Sequence, residues 1–283
     1  MTEKAGQLIP EPDSALRQKF IAFQPTLETE LGEKVSLNRI AREFLVFQRL
    51  IGHRHSIDDA LTGWYALQKQ PHVQRMLDLG SGIGTVGLTV LSGLDSKTKA
   101  LFIEAQDISF KLLSANIACN ALENRVSLIH SDLRVAKTLE KFPLITGSPP
   151  YFPINSGVLP PDSQKAHARF ELRGHVGDYA AFAHEHLEDS GLFVFCFPFQ
   201  QKARCFNLVT AAGMSIISVR DVVPRAGKAP LFSLYSAKKS ADVAISEKLV
   251  EEPAFIVADA NGVYSDEMIA MQASRGFGPD GSN

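Results

Sequence analysis

From residue 75 onward the chain alternates short apolar runs with amphipathic stretches. The runs at 75–79, 100–104, 125–130, 143–146 and 191–197 have the length of strands, and 84–93, 107–121 and 178–188 carry a helical period between them. Such alternation predicts βαβ units, hence a doubly wound, Rossmann-like α/β fold with a parallel sheet covered on both faces. After a further helix at 202–212, two strand-like runs, 215–223 and 231–237, are joined through Pro224-Arg225-Ala226-Gly227. That link is too short for a parallel crossover, so this pair is expected to be antiparallel. A strand at 254–258 and a short helix at 265–272 precede a Gly-rich end, expected to fray.

The first 74 residues read differently. Leu37, Ile40, Phe44, Phe47 and Ile51 recur at helical spacing behind Ser36, which predicts a helix over 36–51. A second helix is expected over 56–69, with Ser56 as its cap and Asp58 and Asp59 in its first turn. Residues 1–35 carry Pro10, Pro12 and Pro25 and read as a loosely structured arm with short helices. The domain expectation is an N-terminal extension and helical cap (1–50), a main domain (51–240) and a C-terminal extension packed on it (241–283).

Composition narrows the function classes. An apolar share of 45% and a charged share of 21% are ordinary for a soluble globular protein. A formal charge of −2 gives no global positive field, so any nucleic-acid contact must rest on a local basic patch. Cys119, Cys196 and Cys205 sit singly, as reduced cysteines do in a cytosolic protein. The polar start resembles no secretory signal, and the densest apolar run, Leu192 to Phe199, is too short to span a bilayer. A soluble, cytoplasmic protein is expected, with no membrane partner.

Two motifs carry chemistry. Asp78-Leu79-Gly80-Ser81-Gly82-Ile83-Gly84 ends the first strand of the alternating region and opens a helix. Glycines there let the backbone turn tightly and approach a ligand, while the helix N-terminus offers free N–H groups. Glu104 ends the second strand, where a carboxylate can accept hydrogen bonds from ribose hydroxyls. This half indicates an adenosine-containing cofactor without choosing between NAD and S-adenosylmethionine; a ligand-free Gly-rich turn is the plainer reading. Ser148-Pro149-Pro150-Tyr151-Phe152 follows the fourth strand. Two prolines fix the backbone and remove two donors. The Ser148 hydroxyl and Pro149 carbonyl can then accept N–H hydrogens from an amine or amide nitrogen, localising its lone pair. Tyr151 offers a face for stacking a base. A rigid turn with no chemistry is again the plainer alternative.

D-x-G-x-G-x-G, an acidic residue after the second strand and [N/D/S]-P-P-[Y/F] together resemble the S-adenosylmethionine-dependent amino-methyltransferases. More narrowly, the chain resembles the bacterial tRNA1(Val) adenine-37 N6-methyltransferases over residues 50–270. Gly52-His53-Arg54-His55-Ser56-Ile57-Asp58 matches that group's G-x-R-x-S-x-D segment. Ala168-Arg169-Phe170-Glu171 matches A-R-x-E, and Asn261-Gly262-Val263-Tyr264-Ser265-Asp266-Glu267 matches N-x-x-Y-[ST]-x-E. The resemblance implies a seven-stranded sheet with one antiparallel strand and S-adenosylmethionine as cofactor. It implies in-line methyl transfer to the N6 amine of an adenine in tRNA or another structured RNA, without a metal. The implied cofactor contacts are Asp78, Gly80, Ser81, Gly82, Gly84, Glu104, Ala105, Asp132 and Ser148. Ser148, Pro149, Pro150 and Tyr151 would be catalytic, and Tyr151, Phe152, Lys165, Arg169 and Arg173 would meet the substrate.

Two departures bear on base identity. Ser148 replaces the usual Asn, losing an amide that both accepts and donates, and Phe170 stands where His is common. Protein-glutamine N5-methylation, DNA cytosine-N4 methylation and a cofactor-binding module without turnover stay open as alternatives. The long stretch 153–177 is expected to be a substrate lid with a phosphate-facing strip. Arg220, Arg225, Lys228, Lys238 and Lys239 extend that strip or are merely solvated. Asn116 and Asn120 match family positions but also read as solvated helix residues. His184-Glu185-His186 does not read as a metal site, because residues two apart face away from each other on a helix.

Overall fold

The computed structural model describes residues 14–41, 43–244 and 248–278. Expectations for residues 1–13 and for the end at 279–283 lie outside the described residues.

Helix α1 (Ser14–Leu31) is one continuous element in place of several short ones, and it carries Pro25 within it. It buries Phe20 and Leu27, with Phe20 tilted against Phe47 at 4.9 Å. The helix expected over 36–51 is instead an antiparallel hairpin, β1 (Val35–Ala41) and β2 (Phe44–Arg49), paired from Val35 with Arg49 to Ala41 with Phe44. Phe44, Leu45, Val46, Phe47 and Gln48 are buried in succession, because elements cover both faces of the hairpin. A strand buried on both faces loses its two-residue alternation, and its apolar run then mimics a helical spacing. The cap over the main domain is therefore a helix and a hairpin. Helix α2 (Ile57–Lys69) forms as expected, with a capping box between Ser56 and Asp59.

The alternating region builds one sheet from β3 (Arg75–Leu79), β4 (Lys99–Glu104), β5 (Val126–His130), β6 (Phe142–Gly147), β7 (Leu187–Pro198), β8 (Met214–Val223), β9 (Phe232–Lys239) and β10 (Val250–Ile256). Its order is β10-β8-β9-β7-β6-β3-β4-β5, one strand more than the resemblance implies, with β10 near the run expected at 254–258. Strand β9 runs antiparallel to both β7 and β8. The added strand β10 lies parallel to β8 at the edge. It is polar, contains Pro253 and buries only Phe255 completely, as suits an edge strand.

Intervening helices are α3 (Thr85–Gly93), α4 (Asp107–Cys119), α5 (Ser163–Arg169), α6 (Val176–His186), α7 (Lys202–Ala211) and α8 (Asp266–Ser274). Alternate residues of β7 face opposite cores. Val194 and Cys196 join the layer containing α2, α3 and the hairpin, whereas Phe193, Phe195 and Phe197 join α6 and α7. In the second layer Phe195 stacks on Phe193 at 4.6 Å and on Tyr235 at 5.0 Å. Both layers leave the carboxyl ends of β3, β4 and β6 uncovered, where doubly wound sheets bind ligands.

Candidate active site

The turn after β3 is built by glycines in the left-handed region, Gly80 at φ +60°, Gly82 at φ +57° and Gly84 at φ +97°. At Gly80 a side chain would also run into the Tyr179 hydroxyl of α6. Asp78 sits beneath this turn, 1% exposed. Its carboxylate accepts from Thr146 Oγ1 at 2.7 Å and from the Gly87 N–H at 3.2 Å. Burial pushes its pKa up to about 7 against the pull of those bonds. Glu104, at the end of β4, accepts the Gly82 N–H on one oxygen at 2.8 Å and the Gln106 N–H on the other at 2.7 Å. Burial raises its pKa too.

A cavity of about 430 Å³ runs from this turn across the end of β4 to the turn after β6. That is the size of a site for a drug-sized ligand. Its donor end presents Gly80, Gly82, Glu104 and Ala105 beside the apolar Ile103 and Leu133. Backbone N–H groups hold Glu104, and a carboxylate has about four lone-pair sites, so acceptor capacity remains for a ribose hydroxyl. The open space over Gly82, where a Cβ would meet nothing within 4 Å, admits a nucleoside against the backbone. The donor set fits an adenosine cofactor.

The other end is the turn Ser148-Pro149-Pro150-Tyr151, facing the start of α2. The Tyr151 and Phe152 N–H groups both donate to the Arg169 carbonyl, at 3.0 and 2.9 Å, tying the turn to the end of α5. The Tyr151 carbonyl accepts from Gln201 Nε2 at 2.7 Å. The Tyr151 ring packs edge-on against Phe197 at 6.0 Å, and its hydroxyl donates to Asp58 Oδ2 at 2.6 Å. Ser148 Oγ lies 3.5 Å from the Cys196 sulfur, whose thiol burial pushes up to about 12. Asp59, His53 and His55 line the same end. Burial, with the Asp58 charge beside it, raises the pKa of Asp59. Burial lowers that of His53, and that of His55 to about 4.

Residues 62–156, which contain both motifs, match the family described as methyltransferase small domain. A tRNA1(Val) (adenine(37)-N6)-methyltransferase of Haemophilus influenzae is 25% identical over 232 residues, covering 81% of this chain and 94% of that protein. One from Histophilus somni is 26% identical over 228 residues, 80% of this chain and 91% of the relative. This chain is an S-adenosylmethionine-dependent methyltransferase. Solved structures show the same fold. A predicted O-methyltransferase of Agrobacterium tumefaciens superposes with a TM-score of 0.57 at 17% identity, covering 77% of this chain and 96% of that one. A class I S-adenosylmethionine-dependent methyltransferase of Listeria monocytogenes gives 0.52 at 14% identity, over 86% and 74%.

The expected site residues of this methyltransferase divide into three groups. Gly80, Ser81, Gly82, Glu104, Ala105, Ser148, Pro149, Pro150, Tyr151, Phe152, Arg169 and Arg173 all line the cavity. Asp78 and Gly84 lie behind it and shape the turn. Asp132 points elsewhere: Arg134 binds its carboxylate through Nε at 2.9 Å and Nη2 at 2.6 Å, and this pairing lowers its pKa. Ser131 and Leu133 flank the cavity in its stead. Arg173 reaches inward and donates to the Ala105 carbonyl, at the cofactor end and away from a phosphate strip. Lys165 does not line the cavity and lies half-buried on α5. That seven-residue helix interrupts the stretch expected to be a loop. Arg220 binds Glu267 with 2.7 Å bonds and lies over Trp64, a structural contact. His53 enters the sequence reading only within the Gly52–Asp58 segment and Asp59 only in the first turn of a helix; nothing in the sequence shows that α2 brings Asp59 to Ser148.

Proposed function

We propose that the chain methylates the N6 amine of an adenine in tRNA, in the cytoplasm, by direct in-line transfer. The observation that carries this reading is the Ser148-Pro149-Pro150-Tyr151 turn at one end of a cavity whose other end is Glu104 and the glycine turn. The relatives named for tRNA adenine-37 N6-methylation support the choice of acceptor. When bound, S-adenosylmethionine supplies an electrophilic methyl group, whose C–S bond breaks as the nitrogen forms its N–C bond.

The chain's own residues bind and orient. Glu104 and the glycine turn would hold the ribose and the chain of the cofactor, and Arg173 braces the backbone at Ala105. The Pro149 carbonyl and Ser148 hydroxyl accept N–H hydrogens of the target amine and turn its lone pair toward the donor. Tyr151, fixed at its hydroxyl by Asp58, gives the base a face. Holding both partners in a near-attack geometry supplies most of the acceleration. The test is incubation with isotope-labelled cofactor and unmodified tRNA, followed by mass spectrometry of digested nucleosides. N6-methyladenosine is the expected product; label found only in N4-methylcytosine, or only in protein, refutes this reading.

A further inference from the structure

An amide at position 148 would present a donor and an acceptor together. Ser148 presents a single hydroxyl, yet the edge of adenine next to its amine needs both partners. The amine N–H wants an acceptor, and the adjacent ring nitrogen wants a donor. The missing half is on α2. Asp59 lines the cavity beside Ser148 and within hydrogen-bonding reach of its hydroxyl.

The donors around the two neighbouring carboxyl groups are divided unequally. Asp58 receives the Tyr151 hydroxyl at 2.6 Å, the Asp59 N–H at 3.2 Å and the Ser56 hydroxyl. Asp59 receives the Ser56 N–H at 3.3 Å and shares the Ser148 hydroxyl. Two adjacent carboxylates cannot both stay charged away from bulk water without a large cost. Asp59, which receives fewer donors and whose pKa burial raises, is the one that holds the proton.

We propose that Asp59 is a specificity-determining residue: as a carboxylic acid it donates to the ring nitrogen beside the target amine, while Ser148 accepts from the amine. The pair replaces one amide. This rests on the base-amine reading above. Adenine and cytosine share this donor–acceptor edge, whereas the amine edge of guanine offers two donors and is rejected.

The groups that act on Asp59 favour its protonated form. Asp58 beside it and Asp78 on β3 are acidic. Arg275, after α8, is the cation that opposes them. His53 and His55, from the segment before α2, line the cavity with lowered pKa values and are neutral there. Burial acts on Asp59 in the same direction as its two acidic neighbours.

The test uses the full chain, S-adenosylmethionine and unmodified tRNA transcripts, with rates measured against pH. Wild-type activity should fall as pH rises through the Asp59 pKa, because the donor proton is lost. Asp59→Asn keeps a donor and an acceptor, so it should stay within about ten-fold of wild type and lack that alkaline fall. Asp59→Ala should be roughly 100-fold slower than wild type below the Asp59 pKa, with the gap narrowing above it, while still binding S-adenosylhomocysteine normally. Adding Ser148→Asn to Asp59→Ala should restore part of the rate. An Asp59→Ala enzyme as active as wild type below that pKa, or an Asp59→Asn profile that still falls at alkaline pH, overturns the proposal. A carboxylic-acid band in the infrared spectrum at neutral pH, absent from Asp59→Asn, reads the proton without any acceptor; its absence from wild type also overturns the proposal. A wild type that methylates no RNA nucleoside removes the RNA reading instead, and the infrared result still decides on Asp59.

Discussion

Asp78 and Glu104 show how one carboxylate can organise a turn and another can meet a ligand, although both follow strands in the same motif. Asp78 never reaches the cavity, so its contribution is to stability. Its pKa, raised to about 7 by burial, means that the folded state binds this proton more tightly than the unfolded chain does. The stability contributed by this group is therefore full below about pH 4 and lost as pH rises through about 7. Asp78→Asn can keep both contacts, accepting from Gly87 and donating to Thr146 Oγ1, whose hydroxyl already lies 3.5 Å from the Leu77 carbonyl. The variant should match wild type below about pH 4 and have the higher Tm at pH 8. Parallel Tm curves for the two proteins would show that Asp78 does not titrate in this range. Glu104 faces the cavity, and Glu104→Ala should weaken S-adenosylhomocysteine binding by about 1.5–3 kcal/mol, since a charged acceptor is lost. Calorimetric titration giving an unchanged affinity would place the ribose elsewhere. Gly80→Ala combines a left-handed backbone with a clash at Tyr179 and should bind no cofactor; a variant with native affinity would mean that α6 can move.

At the level of elements, the hairpin and α4 form one unit that no local signal reveals. Asn116 accepts the Phe47 N–H at 2.7 Å and donates to the Phe47 and Ile83 carbonyls at 3.3 and 3.0 Å. Asn120 accepts the Leu45 N–H at 3.2 Å and donates to its carbonyl at 2.8 Å. The two amides satisfy the outer edge of β2 as a paired strand would, and tie it to the glycine turn through Ile83. Asn116→Ala should cost about 1–3 kcal/mol for each buried group left without a partner. It should lower Tm by several degrees; a loss within experimental error would mean water replaces the amide. The strands from β3 to β9 were legible because each is a short apolar run bounded by turns, and the glycine turn and Ser148-Pro149-Pro150-Tyr151 because contiguous residues form them. The hairpin was not, since burial on both faces erased its alternation. Edge strand β10 was placed late because charge and Pro253 hide its pattern. Asp59 escaped notice as a site residue because its neighbour Ser148 is distant in sequence and only the packing of α2 on the sheet brings them together. Asp132 fits the motif by its position after β5, but in the structure Arg134, two residues on, holds its carboxylate.

For the whole molecule the proposed tRNA substrate raises the question of how a chain of net charge −2 would hold a polyanion. Among the described residues no helix is long and apolar enough to cross a membrane, and the cavity lining includes the exposed Phe152 and Arg169. Extracting a base from a folded RNA costs a few kcal/mol, which contacts around that cavity must offset. The structure separates the three cations expected there. Lys165 and Arg169 lie on α5, facing outward or at the rim, whereas Arg173 is bound to the Ala105 carbonyl inside. Phosphate contacts make log affinity fall linearly with log salt, each neutralised phosphate adding to the slope. Methylation of tRNA should therefore slow steeply with added salt. Lys165→Ala with Arg169→Ala should weaken tRNA binding and flatten the slope by roughly one to two units, while leaving S-adenosylhomocysteine affinity intact. Arg173→Ala should do the reverse, lowering cofactor affinity and leaving the salt slope unchanged, because its cation never meets a phosphate. Filter-binding titrations over a salt series, paired with calorimetry on the cofactor product, measure both quantities for each variant. A salt-insensitive reaction, or a double variant that binds tRNA as wild type does, would locate the RNA on another face and leave α5 as a purely structural wall of the cavity.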